Sequence, residues 1–252
     1  MQKFLKNFGM HFTKLPYEEF VKNVSTLISN SLSDNEIVTA TSRFGYDKNR
    51  IKMGERLLKE LISNDKKQTG SQDKKIKLHE KRAELKQSVK KKYMKILLIA
   101  RIAFDKDQLV KRALKLDGAR ETELNLWIDQ ISVFANTLLS EASWLNMLKN
   151  YGIGRKEIHA LTSDLDKLRS TAMLCEQAKT EAKKTTQEKR NKLKEMQNWI
   201  SDFLKIAKIA LEDKTEVYEK LRMGEGYTVQ GTRDTVNGER DTANGAGYTV
   251  NE

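Results

Sequence analysis

The sequence repeats itself at a fixed offset of 107 residues, and this repetition constrains the fold more than any other feature. Residues 99–104 read Ile-Ala-Arg-Ile-Ala-Phe, and residues 206–211 read Ile-Ala-Lys-Ile-Ala-Leu. The same gap-free offset aligns apolar positions elsewhere in the chain: Phe20 with Trp127, Phe44 with Tyr151, Ile51 with Ile158, Leu58 with Leu165, and Val110 with Val217. One register that joins separate stretches indicates two tandem copies of one structural unit.

Composition favours helices for this unit. Charged residues make up 33% of the chain, and the chain has a single proline. Few helix breakers and many charges are typical of long, solvent-exposed helices. We therefore predict an all-α fold: an elongated, coiled-coil-like helical bundle built from two tandem copies of the 107-residue unit, with a low-complexity C-terminal tail.

The repeat divides the chain into four segments. Residues 1–15 form a basic lead-in, residues 16–118 form repeat one, and residues 119–225 form repeat two, which we expect to pack with repeat one as a single domain. From Tyr227 onward a seven-residue motif recurs that has few bulky apolar side chains. Such a composition cannot offset the entropy of ordering, so we expect residues 226–252 to be disordered, with a small β-solenoid as the alternative.

Each repeat is predicted to begin with a helix that ends at a glycine corner. In repeat one this helix runs from Pro16 to about Arg43, following a stripe of apolar residues at helical spacing. Gly45 can take the left-handed conformation that ends a helix, and Asp47 can cap the next one. Because Gly152 occupies the matching place in repeat two, we predict a helix–helix corner in both copies.

The two copies differ where the second predicted helix ends. Residues 64–75 contain Gly70 and Ser71, which favour a turn, whereas the matching residues 179–187 are polar but contain no Gly or Pro. Repeat one therefore favours a hairpin, and repeat two allows a continuous or bent helix. We expect a bend in both copies, followed by a third helix, because the copies should share a fold.

An acidic cluster closes each unit. Asp105 and Asp107 in repeat one correspond to Glu212 and Asp213 in repeat two. These residues are predicted to end the third helix and to start a short terminal helix.

Positive charge is concentrated in two segments that occupy the same place in their repeats. The chain has a net charge of +12, and residues 74–95 contain ten Lys or Arg against two Glu. Residues 183–194 contain six Lys or Arg against one Glu. Basic segments suit phosphate groups, since neutralising each phosphate releases counterions. The candidate contacts to an anion or nucleic acid are Lys86, Lys90, Lys91, Lys92, Lys95, Lys183, Lys184, Lys189, Arg190 and Lys192.

Two observations limit the nucleic-acid hypothesis. No aromatic residues alternate with these lysines to stack bases, and the sequence contains no recognisable recognition-helix module. Binding would therefore involve the phosphate backbone and be largely independent of sequence. The alternative is a solvated helix surface. Cations at the start of a third helix would oppose the helix dipole, so stability alone does not favour them there.

The residue types that carry catalysis do not form a recognisable pattern. The histidines His11, His79 and His159 lack metal-ligand spacing, and Cys175 falls on an apolar helical seam. The Gly-rich corner at residues 152–156 could hold a phosphate, but a plain helix corner is the favoured interpretation. We predict no enzyme activity, no cofactor, no metal and no small-molecule substrate. Three tryptophans are interpreted as packing residues: Trp127, Trp144 and Trp199.

The aromatic-Gly corner and the Ile-Ala-Arg/Lys-Ile-Ala motif resemble bacterial all-helical proteins of unknown function that carry the same tandem unit. The resemblance covers residues 17–225 and implies a fold, but no site and no activity. Such repeats often have a proline after the acidic cluster, where this chain has Gln108 and Thr215. That difference leaves the short terminal helix open.

The sequence thus predicts a non-catalytic helical interaction or scaffold protein that binds protein, itself or another, through its helical faces. The alternatives are sequence-independent nucleic-acid binding through residues 74–95 and 183–194, and peripheral binding to an anionic membrane surface. The longest apolar run, Ile96–Ala100, is far shorter than the roughly 20 residues that span a bilayer. We therefore expect a cytoplasmic protein.

Overall fold

A computed structural model describes residues 15–222, and every regular element in that range is a helix. The predictions for the lead-in before Leu15 and for the tail at 226–252 fall outside the described residues. The helices are α1 (Tyr17–Ser33), α2 (Asn35–Ser42), α3 (Lys48–Ala103), α4 (Gln108–Ala113), α5 (Leu124–Ser140), α6 (Ala142–Lys149), α7 (Arg155–Ala210) and α8 (Thr215–Arg222).

The helices of the first half recur in the second half at the offset that the sequence shows. The bounds of α1, α2 and α3, moved by 107 residues, coincide with those of α5, α6 and α7, and the start of α4 coincides with that of α8. The predicted all-α, elongated fold is confirmed. Its origin in a duplication stays an interpretation.

The centre of the molecule is an antiparallel pair formed by α3 and α7, each 56 residues long. At a rise of about 1.5 Å per residue, each helix extends for about 84 Å. Three contacts fix the direction. Lys92 pairs with Asp164, Leu78 accepts a hydrogen bond from Cys175, and Ser71 lies 2.6 Å from Thr185 between hydroxyl oxygens. Residues that come earlier in α3 therefore lie opposite residues that come later in α7.

The predicted bends at residues 64–75 and 179–187 are wrong, because both ranges lie inside the uninterrupted long helices. Gly70 faces open space, where a glycine costs helix stability without breaking the helix. The hydroxyl of Ser71 is hydrogen-bonded to Thr185 of the opposite helix. Packing along a partner helix outweighs local propensity, so the second and third predicted helices are one.

The first predicted helix, in contrast, is two helices in each repeat. Asp34 adopts an extended backbone between α1 and α2, and its carboxylate accepts hydrogen bonds from the backbone N–H groups of Glu36 (2.8 Å) and Ile37 (3.4 Å). Aspartate competes for backbone donors in this way and so starts a new helix. Glu141 takes the same extended place between α5 and α6. The prediction of one helix reaching Arg43 was therefore wrong.

The predicted corners and the short terminal helices are present. Gly45 and Gly152 have φ values of +81° and +77°, which side chains other than glycine rarely tolerate. Asp47 accepts a hydrogen bond of 2.8 Å from the N–H of Arg50 at the start of α3. After α3 ends, Asp107 caps α4 through the N–H of Val110 at 3.0 Å. A side-chain cap thus starts α4 without a proline.

Two separate hydrophobic cores lie at the two ends of the long pair, and each draws on both repeats. The first packs α1, α2 and the N-terminal part of α3 against the C-terminal part of α7 and α8; its members include Phe20, Ile37, Leu61, Phe203 and Leu221. The second packs α5, α6 and the start of α7 against the end of α3 and α4; its members include Tyr93, Val110, Ile131, Leu148 and Leu165. Neither repeat forms a core alone.

Between the cores the molecule narrows to the two long helices. This neck comprises residues 62–88 of α3 and 169–195 of α7, a length of about 40 Å. Its buried residues all belong to α7 and are small: Thr171, Cys175, Ala178, Ala182 and Thr185. Small side chains let the two backbones approach closely, and they bury much less apolar surface than the end cores do.

Candidate interaction surface on the long helix pair

Three of the ten basic candidates hold α3 and α7 together. Their ammonium groups lie close to carboxylates on the opposite helix: Lys92 to Asp164 at 2.6 Å, Lys189 to Asp65 at 2.5 Å, and Lys192 to Glu60 at 2.9 Å. These side chains fix the register of the pair and are therefore engaged within the molecule.

The ion pairs also change the proton affinities of their members. The hydrogen bond from Lys92 lowers the pKa of Asp164. Hydrogen bonds to Glu195 and Glu60 raise the pKa of Lys192 to about 12. Both shifts favour the charged forms, so the contacts persist across the neutral pH range.

The other seven candidates are exposed on the surface of the pair: Lys86, Lys90, Lys91, Lys95, Lys183, Lys184 and Arg190. The ammonium of Lys184 is 4.0 Å from Glu188, and that of Lys86 lies 6.0 Å from the ring centre of Trp127. All seven follow the middle of a continuous helix. The objection that they oppose a helix dipole was therefore wrong, because no helix begins near them.

The two basic segments extend away from each other. Lys92 lies opposite Asp164, in the half of the pair that contains the end of α3. Lys192 lies opposite Glu60, in the half that contains the end of α7. Each basic segment thus occupies its own half of the rod, and the two do not form a single patch.

The short helices cover one long side of the pair. Trp127 of α5 lies over Lys86 of α3, and Asp129 of α5 forms an ion pair of 2.6 Å with Arg169 of α7. At the other end, Tyr17 of α1 lies beneath the ammonium of Lys189 at 4.3 Å from the ring centre. Because the two halves are equivalent, α1 and α5 cover the same side.

The opposite side of the pair is uncovered. The α3 residues that face α7 include Arg82 and Leu85. The residue just before such a pair in the sequence and the residue just after it lie on opposite sides of the two helices. Lys86 is on the side covered by α5, so Lys81 is on the other. An open groove on that side is lined by Lys81 and Leu85 of α3 together with Lys167 and Leu174 of α7.

Two edges, defined by seven-residue spacing from Lys81 and Lys167, bound this uncovered side. The α3 edge consists of Met53, Glu60, Lys67, Lys74, Lys81, Ser88 and Lys95. The α7 edge consists of Ala160, Lys167, Leu174, Glu181, Glu188, Glu195 and Asp202. We call the surface between them the open face. It was missed in the sequence because the predicted bends would have interrupted both seven-residue series.

Aromatic residues mark one end of the pair. The rings of Trp199 and Phe203 stack at 5.3 Å between centres, and Tyr46 meets Trp199 edge-on at 6.2 Å. The guanidinium of Arg50 lies 4.2 Å above the ring of Tyr46. Trp199 packs against Gly54, where any side chain would overlap the indole. The tryptophan's predicted packing role agrees with this position.

The remaining sequence candidates take structural or surface positions. Cys175 is buried and donates a hydrogen bond of 3.3 Å to the carbonyl of Leu78. His159 is exposed, and His79 lies 3.1 Å from the guanidinium of Arg82. Within residues 15–222, no three His, Cys, Asp or Glu residues are placed to hold a metal ion. That the protein needs no metal stays a prediction.

The Gly-rich corner before α7 is closed by the protein itself. The N–H of Gly154 donates a hydrogen bond of 2.8 Å to the carboxylate of Glu157. This hydrogen bond lowers the pKa of Glu157 and keeps it ionised. A carboxylate therefore occupies the place that a phosphate would need.

None of the helices in the described range is long and apolar enough to cross a membrane. The prediction of a cytoplasmic location stays a prediction.

Comparison with known proteins gives no match at any level. No protein-family model, no curated protein and no solved structure matches the chain. The resemblance to bacterial tandem-unit proteins stays a prediction.

Proposed function

We propose that this chain is a non-catalytic helical interaction or scaffold protein that engages a protein partner through the open face. The observation that carries the proposal is the arrangement of the short helices. Both α1 and α5 pack on one side of the long pair, which leaves the other side uncovered along its length. An uncovered helical face with apolar and charged side chains is the form of surface that a helical partner can cover.

The composition of the open face supports this proposal. Leu174 and Met53 lie on its edges with 45% and 48% of their surfaces exposed. Charged residues surround them along both edges. Apolar contacts within a charged rim are typical of protein interfaces.

The shape of the molecule supports a scaffold role. Two cores are held apart by a neck of about 40 Å, and continuous helices join them. A partner on the open face would contact both halves of the rod and would bridge the neck.

The test uses a photo-reactive amino acid placed at a single position in the full chain. Leu174 is the test site, and Met147 on α6, 46% exposed, is a control of matched exposure away from the open face. We expect irradiation of expressing cells to give discrete adducts from position 174 and few from position 147. Equal labelling at both positions would contradict the proposal.

A second candidate function, binding to the phosphate backbone of nucleic acid, is favoured by a separate observation. Most of the basic candidates are exposed, and they extend along the second half of each long helix. Phosphate binding through such residues weakens steeply with salt.

This candidate is tested by fluorescence anisotropy with a random DNA duplex and an RNA of equal length across a salt series. The variant replaces six exposed basic residues with Gln: Lys90, Lys91, Lys95, Lys183, Lys184 and Arg190. Its control replaces six exposed lysines elsewhere: Lys22, Lys48, Lys52, Lys149, Lys156 and Lys208. Salt-sensitive binding that only the first variant loses would support nucleic-acid binding, and no binding at low salt would contradict it.

A further inference from the structure

The two edges of the open face carry opposite charges at equivalent positions. Lys74 of α3 corresponds to Glu181 of α7 at the offset of 107 residues. In the same way Lys81 corresponds to Glu188, and Lys95 to Asp202. The two repeats share one fold, but these three edge positions are positive in repeat one and negative in repeat two.

This reversal divides the open face into a basic half and an acidic half. Lys74 and Glu181 lie at the midpoint of the pair, between the contacts Ser71–Thr185 and Leu78–Cys175. The half nearer the end of α3 has three positive edge residues and no negative one: Lys81, Lys95 and Lys167. The other half has four negative edge residues: Glu60, Glu188, Glu195 and Asp202. Lys67 is the positive edge residue in the acidic half.

The charges are available to a partner. Lys74, Lys81 and Lys95 are exposed and form no ion pair within residues 15–222. Glu181 forms no ion pair within residues 15–222, while Glu188 and Asp202 pair with exposed lysines of their own helix, Lys184 at 4.0 Å and Lys205 at 3.3 Å. Exposed pairs of this kind contribute little, so they can exchange for pairs across an interface.

We propose that the partner of the open face is a second copy of this chain, packed face to face and turned end over end. The two-fold axis of this dimer lies between the two open faces, at the midpoint of the long helices and perpendicular to them. It places the basic half of each copy on the acidic half of the other. The same contact then forms twice, so the assembly closes as a dimer. This inference rests on the proposed function, since it names the partner of the same face.

Charge and size both favour this arrangement. Two copies stacked in the same direction would place like charges together, which is unfavourable. The α3 edge from Met53 to Lys95 extends for about 63 Å, and two helices side by side are about 20 Å wide. The footprint of the open face is therefore about 1,200 Å², compared with roughly 800 Å² of surface that each partner buries in a standard interface. Leu174 would be covered in the dimer.

Sedimentation equilibrium of the full chain tests the proposal. We expect a dimer of twice 29.0 kDa whose dissociation constant rises with salt. Two variants reverse the charges of three equivalent edge residues each: Lys74→Glu, Lys81→Glu and Lys95→Glu in the first, and Glu181→Lys, Glu188→Lys and Asp202→Lys in the second. Each alone should weaken dimerisation at least tenfold, because like charges then meet. An equimolar mixture of the two should form a heterodimer.

The control variant carries the same change in charge at exposed positions outside the open face: Lys22→Glu, Lys48→Glu and Lys52→Glu. It should dimerise like the unaltered chain. Circular dichroism verifies that each variant keeps its helical content, and if a reversal variant unfolds, the corresponding Gln variant replaces it in the same assay.

Two results would overturn the proposal. The unaltered chain could remain monomeric at low salt and high concentration, or both reversal variants could dimerise as it does. Neither result decides the proposed function. Adducts at position 174 with other proteins would keep the interaction role while excluding a second copy as the partner.

Discussion

Gly54 and Gly70 lie on the same long helix, but their surroundings differ. A Cβ on Gly54 would overlap the ring of Trp199, whereas a Cβ on Gly70 would meet nothing within 4 Å. We therefore expect Gly54→Ala to destabilise the fold by about 1–3 kcal/mol through overpacking. Urea unfolding followed by circular dichroism measures the change in the free energy of unfolding.

Gly70→Ala is the matched control and should have the opposite sign. Alanine removes the entropic cost of a glycine inside a helix and should stabilise the protein by about 0.5–1 kcal/mol. A destabilising Gly70→Ala would contradict the continuous α3 helix, because it would indicate that residue 70 adopts a conformation that only glycine tolerates.

Tyr17 should make the fold sensitive to alkaline pH. Burial, assisted by the nearby charge of Asp65, raises the pKa of Tyr17 to about 12. Because the folded pKa lies above the ordinary value of 10.0, stability from the neutral phenol is complete below that value and is lost as the pH rises toward 12. In Tyr17→Phe, the free energy of unfolding should fall less steeply between pH 10 and pH 12.

The same variant has a second expected effect at neutral pH. The hydroxyl of Tyr17 is buried and has no hydrogen-bond partner in the described part of the chain. Its removal should leave stability unchanged or raise it by about 1 kcal/mol. A large loss of stability at neutral pH would indicate that the hydroxyl has a partner.

At the scale of helices, the long pair combines well-buried ends with a thin neck. The end cores bury large side chains such as Phe20 and Tyr93, whereas the neck buries only small ones. Local opening requires less free energy where fewer apolar contacts are lost. We predict that amides in residues 62–88 and 169–195 exchange with deuterium faster than those in the end cores. Equal protection along α3 would contradict this account.

The sequence predicted the elements that depend on local chemistry. The corners at Gly45 and Gly152 need a left-handed backbone, and Asp107 starts a helix with its own carboxylate, so single residues determine both features. The failures have a different cause. Gly70 was interpreted as a break, but the opposite helix stabilises that stretch through Thr185. Which helix packs there cannot be read from the stretch itself.

The sequence predicted only part of the candidate site, again because a single stretch does not show which helix packs against it. Positive charge in residues 74–95 was visible in the sequence, and exposure of Lys90 and Lys95 agrees with it. The engagement of Lys92 with Asp164 was not visible, because it depends on the register of two antiparallel helices. The opposite charges of Lys81 and Glu188 can be read from the aligned repeats. Only the structure shows that both residues lie on the open face, where a partner can contact them together.

At the scale of the whole molecule, two equivalent halves form a rod with one covered side and one open side. The covered side is held by α1 and α5. The central claim is that the open side pairs with itself, end over end.

Intermolecular distances between single spin labels test this claim most directly. Labels are placed by Ser170→Cys or Ala160→Cys on α7, with Cys175→Ala removing the native thiol. The midpoint of the pair lies near residue 180, so each residue away from it adds about 3 Å between the two labels of an end-over-end dimer. Pulsed dipolar spectroscopy should give about 30 Å for position 170 and about 60 Å for position 160. Equal short distances at both positions would show parallel stacking, and no dipolar signal would show a monomer; either result contradicts the account.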